Sequence, residues 1–151
     1  IYLRGERADM VILTDVTERE RAREMMEKAV RLFLALGADS ERNIGLVLHA
    51  GREMLDMPYA IYLRMDGRSL RPYRAPNAAL WTLFDPLKNE LLLKVIARDP
   101  DEPLLLQDLS RPPVPPGGEE LLGLGLRSLL GQSVAVKDQV VAALVFLGAK
   151  L

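Results

Sequence analysis

Seven side chains in this 151-residue sequence are of types that could together recognise a small molecule. Aromatic rings supply the apolar walls of a ligand pocket, and a few arginine or amide groups fix the orientation of the ligand. The alternative is structural, with the tryptophan and phenylalanine capping the core and the arginine solvated. The candidate ligand-binding residues are Tyr62, Arg64, Tyr73, Arg74, Trp81, Phe84 and Gln132.

The spacing of these residues fits extended strands. Tyr62 and Arg64 alternate with Ile61 and Leu63, so a strand would present the polar pair on one face and the apolar pair on the other. Gln132 is a polar residue in an otherwise apolar run, and it needs a hydrogen-bond partner if it is buried.

A metal or catalytic centre is not expected. His49 is the only histidine, and Glu53 follows one helical turn later, a spacing that offers half of a metal site. The chain has no cysteine, and both residues fall away from the apolar face of their predicted helix. Neither a pair of carboxylates nor a nucleophile with a base can be assembled, so an enzyme is only a remote third alternative.

The composition argues against two classes of partner. Lysine and arginine number 20 against 21 aspartates and glutamates, so the totals carry no basic footprint for nucleic acid or for direct membrane contact. No apolar run approaches the ~20 residues that span a bilayer. The absence of cysteine fits a reducing compartment, and a cytoplasmic location is therefore expected.

The first part of the chain is interpreted as two short strands followed by a helix. Residues 1–16 contain two extended apolar runs around a polar segment. Thr17 and Glu20 have the spacing of a capping box, which predicts a helix start there. Gly37 is predicted to end this connecting helix, which spans 17–38.

One stripe of the connecting helix has the alternating spacing of a coiled-coil seam. It predicts a homodimer formed through this helix. The alternative is a helix that packs along its own domain, aided by a second stripe of Met26, Val30 and Phe33. The predicted dimer-interface residues are Ala22, Met25, Ala29, Leu32 and Leu36.

The rest of the chain, 39–151, mixes helices with antiparallel hairpins, which predicts an α+β fold with a central antiparallel sheet and helices on its faces. Asp39 or Ser40 can cap the first helix, and Asp66-Gly67 is a two-residue hairpin turn. Pro72 has no backbone N–H to donate, so its strand is expected at the edge of the sheet or at a bulge. The predicted elements are a helix at 41–56, strands at 59–65 and 69–74, a helix at about 86–98, a strand at 104–107, an irregular loop at 111–118, and two long strands joined at Lys137 and Asp138.

Two parts of the sequence resemble known signalling domains. The segment TDVTERERARE, 14–24, resembles the end of a PAS domain, where the last strand runs into a signalling helix. Residues 39–151 resemble a GAF domain in the hairpin IYLRMDGRSLRP, the segment EPLLLQDLS and the closing hairpin LRSLLGQSVAVKDQVVAALVFL. The implied organisation is the end of a PAS-like domain at 1–16, the connecting helix, and a GAF-like sensory domain at 39–151.

The resemblance implies a small-ligand sensor and dimerisation module, with a histidine kinase or diguanylate cyclase as output domain in the parent protein. It also places Trp81 and Phe84 at a ligand chamber. The signature of cyclic-nucleotide-binding GAF domains is broken, because Ala97 stands where they carry phenylalanine before Asp101-Glu102. Bilin-binding and methionine sulfoxide reductase members use cysteine, so no bilin is expected, and the sequence identifies no other cofactor.

The sequence therefore predicts a non-enzymatic module that binds an unidentified small molecule and passes the signal through a helical homodimer. A GAF-like domain that holds a dimer and relays strain without a ligand is the alternative.

Overall fold

The computed structural model describes residues 2–66, 69–74, 90–97 and 99–149. By their internal contacts, the residues divide into two compact units, Ile1–Leu46 and Val47–Leu151, and the boundary falls inside a helix. The first unit is helical, and the second contains the sheet.

The first unit begins with a single long helix, α1, Tyr2–Ala35. The two strands predicted within residues 1–16 are therefore wrong, and Thr17 lies inside a helix instead of at its start. An isolated two-stranded hairpin is marginal in water, whereas a helix makes its backbone hydrogen bonds within itself. The assignment of this segment to an upstream PAS-like domain stays a prediction.

The turn after α1 is held by one side chain. The Gly37 backbone N–H donates to Asn43 Oδ1 at 3.0 Å, and Asn43 Nδ2 donates back to the Gly37 carbonyl oxygen at 2.7 Å. This reciprocal pair satisfies the backbone N–H and carbonyl groups of Gly37, just beyond the end of the helix. The helix ends at Ala35, two residues before Gly37, which the sequence predicted as its end.

Helix α2, Ser40–Leu55, follows at once and crosses from the first unit into the second. Asp39 Oδ1 accepts from the backbone N–H groups of Glu41 and Arg42 at 3.0 and 3.1 Å. Of the two residues predicted to cap this helix, Asp39 therefore does so, which is worth about 1 kcal/mol.

The second unit is built on a five-stranded sheet in which every neighbouring pair of strands is antiparallel. The strand order is β2-β1-β5-β4-β3, so β2 and β3 are the edges. The α+β prediction is confirmed. The strands are β1 Tyr59–Asp66, β2 Ser69–Arg74, β3 Leu104–Leu106, β4 Ser128–Val136 and β5 Gln139–Gly148.

Both predicted hairpins are present. Asp66 pairs with Ser69 across the β1–β2 turn, and Val136 pairs with Gln139 across the β4–β5 turn. Lys137 and Asp138 have φ angles of 51° and 63°, so both central residues adopt the left-handed conformation of a two-residue hairpin turn without glycine.

Among its described residues, the second unit has two further helices: α3, Glu90–Ala97, and α4, Gly118–Gly123. Helix α3 lies within the range predicted at 86–98, and the remainder of that range is mostly outside the described residues. The short α4 was not predicted, because its glycine-rich ends have the composition of a loop.

The hydrophobic core lies on the face of the sheet that carries Ile61 and Leu63. On that face, Leu91 and Val95 of α3 are each only 1% exposed. A Cβ added to Gly131 of β4 would lie 2.4 Å from Val95 Cγ2, so α3 contacts the strand closely where no side chain intervenes.

The opposite face of the sheet receives α2. A Cβ on Gly51 would lie 2.5 Å from two ring carbons of Phe146, which is on β5. Phe146 pairs with Ala60, and neither belongs to the core cluster on the α3 side. The sheet therefore has two distinct faces, one packed on α3 and one approached by α2.

Candidate functional site

The candidate site begins at a β-bulge in the β1–β2 hairpin. Tyr62 pairs with Arg74, and the next residue, Leu63, pairs with Pro72, so Tyr73 is an extra residue of β2 at this step of the register. Bulges redirect side chains and are common at sheet edges and functional sites. The expectation that Pro72 marks an edge or a bulge is confirmed, since it stands on edge strand β2 beside one.

The bulge brings three of the predicted ligand-binding residues together. The rings of Tyr62 and Tyr73 meet edge to face, with centroids 6.0 Å apart and planes at 78°. The Arg64 Cζ lies 5.0 Å from the Tyr73 ring centroid, within the range of a cation–π contact. Both tyrosines are half-buried and Arg64 is exposed, so the cluster has an apolar floor and a charged, solvent-facing group.

A second arginine, absent from the predicted set, adjoins this cluster. Arg71 of β2 is directly opposite Arg64 of β1, so the two side chains leave the same face of the sheet. Arg71 Nε lies 3.2 Å from Asp66 Oδ2. The sequence signal that could have identified it is the hairpin's charge, with four arginines and one aspartate in residues 59–74.

Gln132 is not part of this cluster. It shares the face of Tyr62, since both residues pair with Leu144, but it lies two strands away. Its Nε2 donates to the Pro100 carbonyl oxygen and, at 3.3 Å, to the carbonyl oxygen of Ser133. The expected need for a hydrogen-bond partner is therefore met within the protein.

The remaining predicted residues cannot be placed with the cluster. Trp81 and Phe84 lie outside the described residues, and of Arg74 only the backbone pairing is described. Tyr62 and Arg64 lie on the face opposite to α3, so they do not line a chamber under that helix. At Gly131, moreover, the sheet and α3 are in close contact. The ligand-binding role of the seven residues stays a prediction.

The His49–Glu53 pair has the geometry of a surface ion pair. His49 Nε2 lies 3.4 Å from Glu53 Oε1, and both side chains are exposed. They border a groove of about 450 Å³ that also includes Arg52. Within the described part of the chain, no three histidine, cysteine, aspartate or glutamate side chains come together as a metal site would require.

A larger groove of about 890 Å³ lies between the end of α2 and the segment after β3. Its lining includes Asp108, whose Oδ1 accepts from the Ser110 hydroxyl at 2.5 Å and from the Ser110 N–H at 3.0 Å. Asp108 Oδ2 lies 3.4 Å from Arg111 Nε. The Ser110 hydrogen bonds lower the pKa of Asp108, and nearby Arg111 and Arg127 lower it further. This carboxylate is thus already bound within its own turn.

Helix α1 exposes apolar side chains of both stripes, and within the predicted seam Ala22 and Met25 are exposed, Met25 at 42%. Of the predicted seam, Ala29, Leu32 and Leu36 are half-buried. By contrast, Met26 is 70% exposed and Phe33 is 71% exposed. The dimer and the alternative of a helix packed along its own domain both stay predictions. In addition, no helix among the described residues combines the length and apolar character needed to cross a membrane.

Comparisons with known proteins identify the fold. No family model matches the sequence, and no curated protein matches it. Solved structures do match. A domain assigned to a two-component sensor histidine kinase from Sinorhizobium meliloti 1021 is 14% identical, with a TM-score of 0.58 and 76% of each chain covered.

Two further matches are named as GAF domains. The GAF domain/HD domain protein from Geobacter sulfurreducens is 21% identical, with a TM-score of 0.54 over 75% of this chain and 78% of that one. The nlh2 GAF domain of A. aeolicus in an inactive state is 12% identical, with a TM-score of 0.54 over 86% of this chain and 80% of that one. The fold of this protein is therefore GAF-like.

Proposed function

We propose that this protein is a non-enzymatic sensory or regulatory module of a cytoplasmic signalling protein, which binds a small ligand and relays the signal through a helical homodimer. The observation that supports it most directly is the fold. The structural matches include GAF domains and a domain assigned to a sensor histidine kinase. The Tyr62–Arg64–Tyr73 cluster supplies the aromatic and charged groups of a ligand site.

The proposed relay uses the contacts that join α3 to the sheet. Val95 contacts β4 at Gly131, and the Gln132 amide binds the Pro100 carbonyl just after α3. A ligand can shift the position of α3 only by the difference in its affinity for the two arrangements. On the other face of the sheet, α2 contacts β5 at Phe146 and continues into the helical unit, which provides a covalent path toward α1.

The dimer part of the proposal rests on the exposed apolar side chains of α1, which include Met25 of the predicted seam and Met26 and Phe33 beside it. We expect Phe33→Glu to weaken self-association about a hundredfold or more, because each buried large apolar side chain contributes about 1.5–3 kcal/mol and a two-fold interface counts it twice. Val136→Glu is the matched control, since Val136 is exposed at the far end of β4. Sedimentation across concentration measures both. A chain that stays monomeric at high concentration before any substitution contradicts the dimer.

The ligand part is tested by native mass spectrometry of the purified protein, followed by thermal unfolding with any molecule that is retained. A ligand at a hundred times its dissociation constant adds about 2.7 kcal/mol to the free energy of unfolding. A relay domain without a ligand is the second candidate function, and the close contact of Gly131 with Val95 favours it. The second candidate is supported if the purified protein retains no molecule and no member of a metabolite library stabilises it against thermal unfolding.

A further inference from the structure

We propose that the β1–β2 hairpin binds the phosphoryl group of a small phosphorylated molecule on the sheet face opposite to α3. Arg64 and Arg71 are the two residues that contact this group. This deepens the proposed function, because it assigns a chemical class to the ligand. It rests on that function only for its signalling role, since the binding step can be measured alone.

The first argument is the concentration of positive charge. Residues 59–74 contain four arginines and one aspartate, although the whole chain has a net charge of −1. Direct cross-strand pairing holds Arg64 and Arg71 side by side on one face of the sheet. Like charges directly opposite each other destabilise a strand pair. An anion that contacts both guanidinium groups relieves that repulsion and gains charge-assisted hydrogen bonds.

The second argument is how each arginine is held. Asp66 Oδ2 lies 3.2 Å from Arg71 Nε, and both of these side chains are mostly exposed. Arg64 is held by the Tyr73 ring, with 5.0 Å between its Cζ and the ring centroid. Among the described residues, Arg64 forms no ion pair with a carboxylate, so within that part of the chain its guanidinium group is positioned by an aromatic ring and not by an opposite charge.

The third argument is the shape provided by the bulge. Tyr73 is the extra residue of β2, and its ring contacts both Tyr62 and Arg64. A planar guanidinium fixed in this way loses less conformational freedom when it binds an oxyanion than a free surface arginine does. Tyr73 is therefore a positioning residue, while the two arginines bind the anion.

Phosphate binding is measured by titrating the full chain with inorganic phosphate and recording NMR spectra. Sodium chloride keeps the ionic strength constant. We expect saturable shifts of the amide signals of β1 and β2. Arg64→Gln and Arg71→Gln should each weaken phosphate binding by about fivefold, the upper range for an exposed ion pair. Arg111→Gln is the matched control, because Arg111 is also exposed but is paired with Asp108 at 3.4 Å.

A second variant acts in the opposite direction. Asp66→Asn removes the carboxylate that competes for Arg71, so phosphate should bind about fivefold more tightly. Asp138→Asn is its control, since Asp138 stands in the β4–β5 turn with a φ of 63° that asparagine tolerates. If Asp66 had only a structural role, replacing its carboxylate would not tighten phosphate binding.

Several results would overturn the proposal. Shifts that grow linearly with phosphate, or that Arg111→Gln reduces as much as Arg64→Gln does, would mean unspecific screening. Binding to phosphatidylserine vesicles without a response to free phosphate would mean that the arginines meet a membrane surface. A retained ligand that perturbs other residues while phosphate has no effect would overturn this site and leave the proposed sensory function standing.

Discussion

Substitution of Gly131 by alanine tests whether α3 is packed directly on the sheet. The added Cβ would lie 2.4 Å from Val95 Cγ2 and 3.0 Å from Val95 Cγ1. Val95 is only 1% exposed, and a β-branched side chain has few alternative rotamers, so it cannot move aside without disturbing its neighbours. Overpacking of this kind costs about 1–3 kcal/mol.

Part of that cost is offset by the backbone. Replacing glycine by alanine inside a strand gains about 0.5–1 kcal/mol of conformational free energy. The net expectation for Gly131→Ala is therefore a loss of up to about 2.5 kcal/mol with a middle value of about 1 kcal/mol, which is a fall in Tm of about 2–4 °C for a chain of this size. Denaturant unfolding and calorimetry measure both quantities.

Two companion variants make this result specific. Gly123→Ala adds a Cβ with nothing within 4 Å, so it should be neutral or stabilising. Val95→Ala creates a space beside Gly131, and the double variant should recover part of the loss, with a coupling energy of about 1 kcal/mol. If Gly131→Ala is as harmless as Gly123→Ala, α3 does not contact β4 in this way, and a hollow under the helix becomes the better description.

Three further changes test other contacts. Gln132→Leu removes the donor to the Pro100 carbonyl, so hydrogen exchange just after α3 should accelerate while exchange in β1 and β5 stays unchanged; uniform acceleration would contradict a local role. Ser110→Ala removes the largest contribution to the lowered pKa of Asp108, so the carboxyl should titrate at higher pH, as measured by carbon NMR; an unchanged pKa would refute that cause. Asp39→Ala removes both capping bonds of α2 and should cost about 1 kcal/mol of unfolding free energy, unlike Asp138→Asn as a control away from any helix.

The Asp108 prediction has a definite sign for stability. A carboxyl whose pKa is lowered by folding stabilises the native state above the pKa of the unfolded chain, about 3.9. That contribution is lost as the pH falls through the lower pKa of the folded state. The difference in stability between the wild type and Ser110→Ala should therefore be largest above about pH 4 and should vanish in stronger acid.

Sequence reasoning located the sheet elements well because their signals are local. Asp66-Gly67 marks one hairpin, the charged pair Lys137-Asp138 separates two long apolar runs, and Asp39 precedes a helical pattern. Each of these signals depends on residues only a few positions apart. The N-terminal strands were the main error, because a short apolar run becomes a strand only when another strand is available to pair with it.

The same reasoning predicted only part of the candidate site. Alternation correctly separated Tyr62 and Arg64 from Ile61 and Leu63, but it could not say which pair faces α3. Pro72 indicated an edge or a bulge, but the extra residue, Tyr73, follows from the register of the two strands, which no local pattern of residues predicts. The juxtaposition of Arg64 with Arg71 depends on the same register.

The sequence by itself determined the order and type of most elements, since turn residues, caps and hydrophobic period act over a few neighbours. The tertiary structure decided which sheet face meets α3, that Gln132 binds the carbonyl of Pro100, and that the cation–π contact forms between Arg64 and Tyr73. Those outcomes depend on strand register and on pairing between distant residues, where a shift of one position moves every side chain to the other face of the sheet.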